Sequence, residues 1–263
     1  MIDIHHHLLF GLDDGSPDVE TSVAMLDAAA DDGITHIVCT PHSNDRYQFD
    51  PEVNQQKLDI LRQASGDRVT LGLGCDFHLS YDNIQDALKN PTRYTINQKN
   101  YLLVEFADLM IPPTTTETFY ELSLAGMRPI ITHPERNPLL QRKPERLIDW
   151  LRGGALIQVT AASLNGRFGK VAQSMAQTLL AQNWVHFIAT DAHNLTSRPP
   201  IMSEAYQWIE KRHGRETAER LCVSNPRAVF YGEAWPLQPE PEGVNVPLEV
   251  PKPKGLLARL FSS

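Results

Sequence analysis

The sequence predicts an α/β fold built on a parallel β-sheet or barrel, and three observations carry the prediction. Seven short apolar stretches read as strands. Helical patterns lie between them, and this alternation marks a parallel sheet or barrel. Six of the seven strands end in His, Asp or Glu, residue types that bind divalent cations. A parallel β/α barrel opens the carboxyl ends of all its strands on one face, where such folds do their chemistry. Ligand-type residues scattered along the chain are therefore expected to converge there.

The elements follow in order. Asp3-Ile4 runs into His5-His6-His7, and a His-x-His pair on a strand faces one side. Leu12-Asp13-Asp14-Gly15 reads as a turn, with Asp14 as a candidate ligand and Asp13 as its local rival. Ser16-Pro17-Asp18 caps a helix from Val19 to Asp32, stopped by Gly33. Ile37-Val38 leads through Thr40-Pro41 to His42, which precedes a polar loop and is poorly placed for a core histidine. Pro51 to Ala64 is helical, with Val53, Leu58 and Leu61 on the buried face. Leu71 to Cys75 ends at Asp76. Leu102-Leu103-Val104 ends at Glu105, a carboxylate costly to bury unless paired or bound to metal. A helix from Thr115 to Ala125 precedes Ile130-Ile131-Thr132, which ends at His133. Pro144 to Leu151 is helical and stops at Gly153-Gly154. The strand Leu156 to Thr160 alone carries no His, Asp or Glu at its end. Lys170 to Ala181 is helical, and Phe187 to Thr190 ends at Asp191 with His193 beyond it. Met202 to Cys222 reads as a closing helix. His36, His186 and His213 lack the strand-exit position and are assigned to structure or surface.

Composition sets the outer limits. The chain has 263 residues and a net charge of -8, which suits one large α/β unit and speaks against a nucleic-acid partner. The cysteines Cys39, Cys75 and Cys222 sit in or near apolar segments, as in a protein of a reducing compartment. The chain opens directly on a strand and contains no apolar run long enough to cross a bilayer. A cytoplasmic location is expected. After Gly232 the composition changes: six prolines are spread from Pro236 to Pro253, followed by Gly255-Leu256-Leu257-Ala258-Arg259-Leu260-Phe261. The expected domain is 1–232, with 233–263 an unpacked tail. The apolar end of that tail reads as a segment docking on its own chain, on a sister subunit in a homo-oligomer, or on a partner or membrane surface.

The residue order resembles the polymerase and histidinol phosphatase (PHP) superfamily, and within it the bacterial metal-dependent protein-tyrosine phosphatases of capsule and exopolysaccharide operons. The motifs that carry the resemblance are Met1 to His7 with Asp13-Asp14-Gly15, Thr40-Pro41-His42 and Val104-Glu105-Phe106. They continue with Thr132-His133-Pro134-Glu135-Arg136, Thr190-Asp191-Ala192-His193-Asn194 and Arg198-Pro199-Pro200. The resemblance implies a distorted seven-stranded TIM-like barrel of the PHP type with three divalent ions, Mn2+ foremost and Fe, Co or Zn as substitutes. Carried over by position, His5, His7 and Asp191 hold the first ion, and Asp76 bridges it to a second held by Glu105 and His133. Asp14, His42 and His193 hold the third. The family uses Glu where this chain has Asp76, one methylene shorter, so a backbone shift or a monodentate bridge is expected. His78 is the alternative ligand there.

The chemistry follows from the ligand types. Close dications lower the pKa of bound water toward neutrality, supplying a hydroxide for in-line attack on phosphorus. Arg136 and Arg198 follow ligand strands closely and suit bidentate phosphate binding, against the plainer reading of surface ion pairs. Arg46, with Tyr47 as a stacking partner, is a further substrate-binding candidate. Thiol chemistry is set aside: the residues six positions after Cys39, Cys75 and Cys222 are Asp45, Tyr81 and Ala228, none an Arg. The leading reading is a protein-tyrosine phosphatase acting on a phosphotyrosine protein, expected to be a bacterial tyrosine kinase. A PHP phosphoesterase for small molecules or nucleic-acid ends is the first alternative. A non-catalytic metal-binding partner of a kinase is the second.

Overall fold

A computed structural model describes residues 1–66 and 68–244. It contains nine strand segments: β1 (Ile2–His6), β2 (His36–Cys39), β3 (His42–Ser43), β4 (Thr70–Leu73), β5 (Asp76–His78), β6 (Tyr101–Glu105), β7 (Arg128–Thr132), β8 (Leu156–Thr160) and β9 (Phe187–Ala189). All pairings are parallel, in a sheet ordered β1-β2-β4 and a second ordered β3-β5-β6-β7-β8-β9. The excess over seven has a local cause. Strand pairing lapses at Thr40-Pro41 between β2 and β3, where Pro lacks a ladder donor, and at Gly74-Cys75 between β4 and β5. At the far edges, His6 bridges to Ala192 in parallel, the His7 N–H donates to the Ala192 C=O at 2.9 Å, and the Asp191 N–H donates to the His5 C=O at 2.8 Å. The first strand therefore lies beside the last.

The helices are α1 (Val19–Asp31), α2 (Pro51–Ser65), α3 (Tyr81–Lys89), α4 (Thr115–Leu124), α5 (Pro138–Arg142), α6 (Arg146–Arg152), α7 (Ala161–Leu164), α8 (Gly169–Ala181), α9 (Ser203–His213), α10 (Arg215–Glu219) and α11 (Asn225–Tyr231). Asp18 caps α1 by accepting from the Thr21 N–H, and Asp50 caps α2, with Pro51 at its first turn. The single closing helix expected over Met202 to Cys222 is broken at Gly214, whose φ of 86° lies outside the helical region, and a π-turn at Arg220–Ser224 follows. Val53, expected on the buried face of α2, is 37% exposed.

Strand residues alternate between two apolar clusters. Ile37, Leu102, Val104, Ile131, Ile157 and Ile188 join the outer one with the helices. Ile4, Val38, Leu103, Ile130, Leu156, Phe187 and Ala189 fill the inner one, which Ile96, Val229 and Phe230 close from below. The inner positions continue upward as Glu105, Thr132 and Gln158, so a polar layer sits directly on an apolar plug. In β1 the register slips between Asp3 and His6. Past that irregularity it is the rings of His5 and His7 that reach the polar layer, a re-aiming typical of bulges.

The chain expected to run unpacked after Gly232 is packed as far as Val244. Trp235 lies against Tyr101 and Phe187, with ring centroids 5.9 and 5.7 Å away, and under the Arg128 guanidinium at 5.1 Å. Gln238 and Asn225 exchange amide hydrogen bonds of 3.0 and 2.8 Å, the Trp184 indole donates to the Glu242 C=O, and Val244 is buried. Trp235 and Val244 supply the apolar area that a count of prolines overlooks. The apolar segment 256–261 lies outside the described residues.

Candidate metal centre

Nine side chains from six strand exits and two adjoining loops meet at the carboxyl ends of the strands. They form four overlapping groups whose ligand atoms lie within 4.8 Å of one another: His7, Asp14, His42 and His193; His5, His7 and Asp76; His5, His133 and Asp191; and His42, Asp76 and Glu105. Together these groups take in His5, His7, Asp14, His42, Asp76, Glu105, His133, Asp191 and His193. Asp76 belongs to two of them, its Oδ2 lying 3.5 Å from His5 Nε2 and 3.2 Å from His42 Nδ1. The shorter side chain thus reaches both neighbours. His78 is in none of the groups.

The backbone is shaped to this convergence. His133 and Asp191 have positive φ values, 32° and 52°. Such non-glycine conformations cost roughly 1–3 kcal/mol and recur at functional sites. Asp3 holds the Asp191 approach in place, accepting from the Thr190 N–H at 3.0 Å and from its hydroxyl. Gly15 is required because a Cβ there would stand 2.3 Å from the His7 carbonyl oxygen.

A second layer orients the imidazoles. His7 Nδ1 meets Asp13 Oδ2 at 2.8 Å, and the Asp13 carboxylate also accepts from the Gly15 and His42 N–H groups. Asp13, the rival to Asp14, therefore stands behind His7, while Asp14 Oδ1 faces His42 at 3.3 Å and His193 at 3.5 Å. His5 Nδ1 meets Gln158 Oε1 at 3.0 Å. Such outer partners fix the ring's tautomer and leave the other nitrogen free to ligate. Gln158 lies on β8, the strand without an ionisable exit, where no signal of ligand type marked it. Asp13 was visible only as a competitor.

Asp191 has two faces. Its Oδ1 is 3.3 Å from both His5 Nε2 and His7 Nε2, while its Oδ2 accepts from Arg136 and from Arg198. The arginines thus stand on the opposite side of the carboxylate from the His5 and His7 imidazoles, on the oxygen that His133 Nε2 approaches to 3.9 Å. Arg136 also lies over the Phe168 ring at 4.2 Å. Arg46 is outside the cluster, its guanidinium 5.0 Å from the Tyr47 ring centroid, and Tyr47 in turn stacks on His42 at 5.9 Å. The expected Arg46 and Tyr47 pairing is therefore present at the rim.

The electrostatics of the side chains alone are strained. Burial opposes the charged form of His5, but Asp76 and Asp191 outweigh it and push it up to about 9. Burial also opposes His42, which Asp14 and Asp76 raise to about 11. Burial, then the Asp76 charge, lifts Glu105 to about 8. Burial and Arg136 hold His133 well below its usual range. Asp76 Oδ2, Asp191 Oδ1, His42 Nδ1 and His193 Nε2 are buried without a hydrogen-bond partner. Unsatisfied lone pairs on mixed imidazoles and carboxylates, converging within ligand range, fit divalent cations and little else. The thiols are unsuited to nucleophilic work: all three are buried and unpaired, and burial raises each, Cys222 to about 12.

Comparison with known proteins shows the family. Residues 1–231 match the family described as "Capsular polysaccharide synthesis, CpsB/CapC". The putative tyrosine-protein phosphatase CapC of Staphylococcus aureus is 37% identical over 210 residues, covering 78% of this chain and 82% of that protein. Tyrosine-protein phosphatase YwqE of Bacillus subtilis (strain 168) is 34% identical over 220 residues, covering 82% of this chain and 86% of that one. Among solved structures, one described as YwqE from B. subtilis and CpsB from Streptococcus pneumoniae, "unique metal-dependent tyrosine phosphatases", superposes with a TM-score of 0.85 at 31% identity. That match covers 92% of this chain and 98% of the other. A phosphotriesterase homology protein of Escherichia coli matches at a TM-score of 0.58 and 10% identity, which speaks to fold alone.

Proposed function

Because the chain belongs to the CpsB/CapC family of capsular polysaccharide synthesis, we propose that it is a metal-dependent protein-tyrosine phosphatase acting on phosphotyrosine proteins. The observation that carries the proposal is the convergence of nine imidazole and carboxylate ligands beside two arginines, with no usable thiol. We read the nine strand segments as the seven staves of a PHP-type barrel, β2 with β3 and β4 with β5 each forming one stave. The bridge between His6 and Ala192 supports closure.

In this reading the chain would hold three divalent ions, Mn2+ foremost. His5, His7 and Asp191 would serve one, Glu105 and His133 a second, and Asp14, His42 and His193 a third, with Asp76 available to the first two. Asp76 lies in one group with His5 and His7 and in another with Glu105, which supports that sharing; the second group also contains His42. Bound dications would supply a nucleophile at neutral pH and neutralise charge on the phosphoryl oxygens. The chain's own residues do the rest. Asp13 and Gln158 hold the His7 and His5 rings at fixed tautomers. Arg136 and Arg198, held in place on Asp191 Oδ2, meet the phosphate and stabilise charge as the phosphorus–oxygen bond breaks. Arg46, at the rim, meets the substrate outside the phosphate. A tyrosine leaving group ionises near pH 10 and needs less acid assistance than an alkyl alcohol.

We propose a bacterial tyrosine kinase of capsule or exopolysaccharide synthesis as the substrate protein, a setting that the family's link to capsular polysaccharide synthesis supports. No helix among the described residues is long and apolar enough to cross a membrane, and the three cysteines are free, which supports a cytoplasmic enzyme. The test is hydrolysis of p-nitrophenyl phosphate and of a phosphotyrosine peptide before and after chelation. Activity lost in chelator and restored by Mn2+ is the expected outcome. Full activity in chelator overturns the proposal.

A further inference from the structure

The loop after β6 begins at Glu105, inside the ligand cluster, and ends in solvent with its apolar residues uppermost. Leu109 is 93% exposed and Met110 is 65% exposed, although both lie between two firmly anchored ends. At one end Phe106 is buried between Phe119 and Trp150. At the other, Ile111 is buried in the outer core. The Asn137 side chain, next to Arg136, donates to the Phe106 and Ala107 carbonyls at 3.4 and 3.2 Å. The loop is thus fixed to the elements that hold Glu105 and Arg136, and it leaves Leu109 and Met110 exposed immediately after Asp108. Isolated exposed apolar residues are unremarkable. Two adjacent ones held beside a catalytic mouth have a geometric consequence for any chain entering that mouth.

A cavity of about 330 Å³ adjoins this loop, walled on one side by Glu105, Phe106, Ala107 and Asp108. The opposite wall is Asn44, Asp45, Arg46 and His78. It therefore runs from a ligand of the metal centre outward to the residue preceding Leu109. A free aryl phosphate occupies only the inner end of such a path. A phosphotyrosine in a polypeptide must bring its neighbours across it, since successive residues of an extended chain advance by roughly 3.3 Å. The occupant that fits is the stretch of a protein substrate flanking its phosphotyrosine.

Resting on the phosphotyrosine reading, we propose that Leu109 and Met110 are specificity residues: they bind an apolar side chain within a few positions of the phosphotyrosine. Their contribution is to substrate binding and not to the chemical step, so it appears in KM for peptides and is absent for p-nitrophenyl phosphate. Apolar contacts of this size discriminate by roughly tenfold.

The test uses the full chain and its Leu109→Ser/Met110→Ser variant, whose changes lie at exposed positions. Three substrates are compared: p-nitrophenyl phosphate, a phosphotyrosine peptide flanked by Leu, and one flanked by Ser. The unaltered enzyme is expected to favour the Leu-flanked peptide by roughly tenfold in kcat/KM. The variant is expected to lose that preference through a raised KM while matching the parent on the other two substrates. An unaltered enzyme that treats both peptides alike, or a variant that keeps the preference, overturns the inference while turnover of p-nitrophenyl phosphate leaves the phosphatase reading intact. Absence of turnover on every substrate overturns both.

Discussion

Under the proposed function, replacing Arg136 with Ala is expected to separate phosphate binding from metal binding, because the two arginines bond one oxygen of Asp191 and His5 and His7 face the other. Arg136 and Arg198 share Asp191 Oδ2, whereas His5 and His7 face Oδ1. Removing one guanidinium leaves Arg198 on Oδ2 and leaves the Oδ1 side untouched, so bound metal should remain. The loss falls on the transition state. A preorganised donor aimed at developing charge is worth about 2–4 kcal/mol, and each 1.4 kcal/mol is tenfold, so kcat/KM should fall by roughly 30- to 1000-fold. Arg136→Lys should recover only part of this, since an ammonium keeps the charge without the planar fork. Elemental analysis beside steady-state kinetics on p-nitrophenyl phosphate measures both quantities in one preparation. A metal-free Arg136→Ala protein, or one that turns over like its parent, refutes the division of labour across Asp191.

Three further outcomes are expected. Asp13→Asn should retain the fold but weaken metal affinity by roughly 10- to 100-fold, read by competition with a chromogenic chelator; unchanged affinity would remove Asp13 from behind His7. Replacing Cys39, Cys75 and Cys222 together with Ala should leave kcat nearly unchanged wherever circular dichroism shows the fold intact, and a dead but folded triple variant would return the thiols to the mechanism. A chain ending at residue 244 should keep the parent's melting temperature. One ending at 232 loses Trp235 and Val244 from the core, roughly 3 kcal/mol, and should melt several degrees lower. Equal melting of the two would show that the contacts of 233–244 contribute nothing to stability.

What the sequence revealed and what it hid have separate physical causes. Ligand-type residues at strand exits were visible because a strand's end is a local property, and parallel topology then brings those ends together. The breaks at Thr40-Pro41 and Gly74-Cys75 were not visible as interruptions of pairing, since each flanking half still reads as apolar strand. Gln158 was hidden for a different reason. An amide on an apolar strand carries no ligand signature, and its role appears only when His5, 153 positions away, is set against it. The turn Asp13-Asp14-Gly15 offered two carboxylates, Asp14 favoured as the ligand and Asp13 kept as its rival. Their order emerges from the fold, where Asp13 turns back to His7 and Asp14 forward to His42. The stretch 233–244 was misjudged because its prolines were counted and its anchors were not: Trp235, Gln238, the Glu242 carbonyl and Val244 hold it.

The meeting of the first strand with the last sets the order in which this centre comes into being. Asp3 grips Thr190 across 187 residues of chain, and the Asp191 N–H donates to the His5 carbonyl. On a ribosome, where the amino end emerges first, His5 and His7 wait unpaired through most of synthesis. Asp191 and His193 arrive only after 190 of the 263 residues have been made. Closure of so long a loop has an entropic cost that grows slowly with length and falls due before any contact across it forms. Ions that bind the closed form alone then hold the two ends together by mass action. Cations held as proposed by His5, His7 and Asp191 would act as a clasp, and their release would loosen the seam where the first strand meets the last.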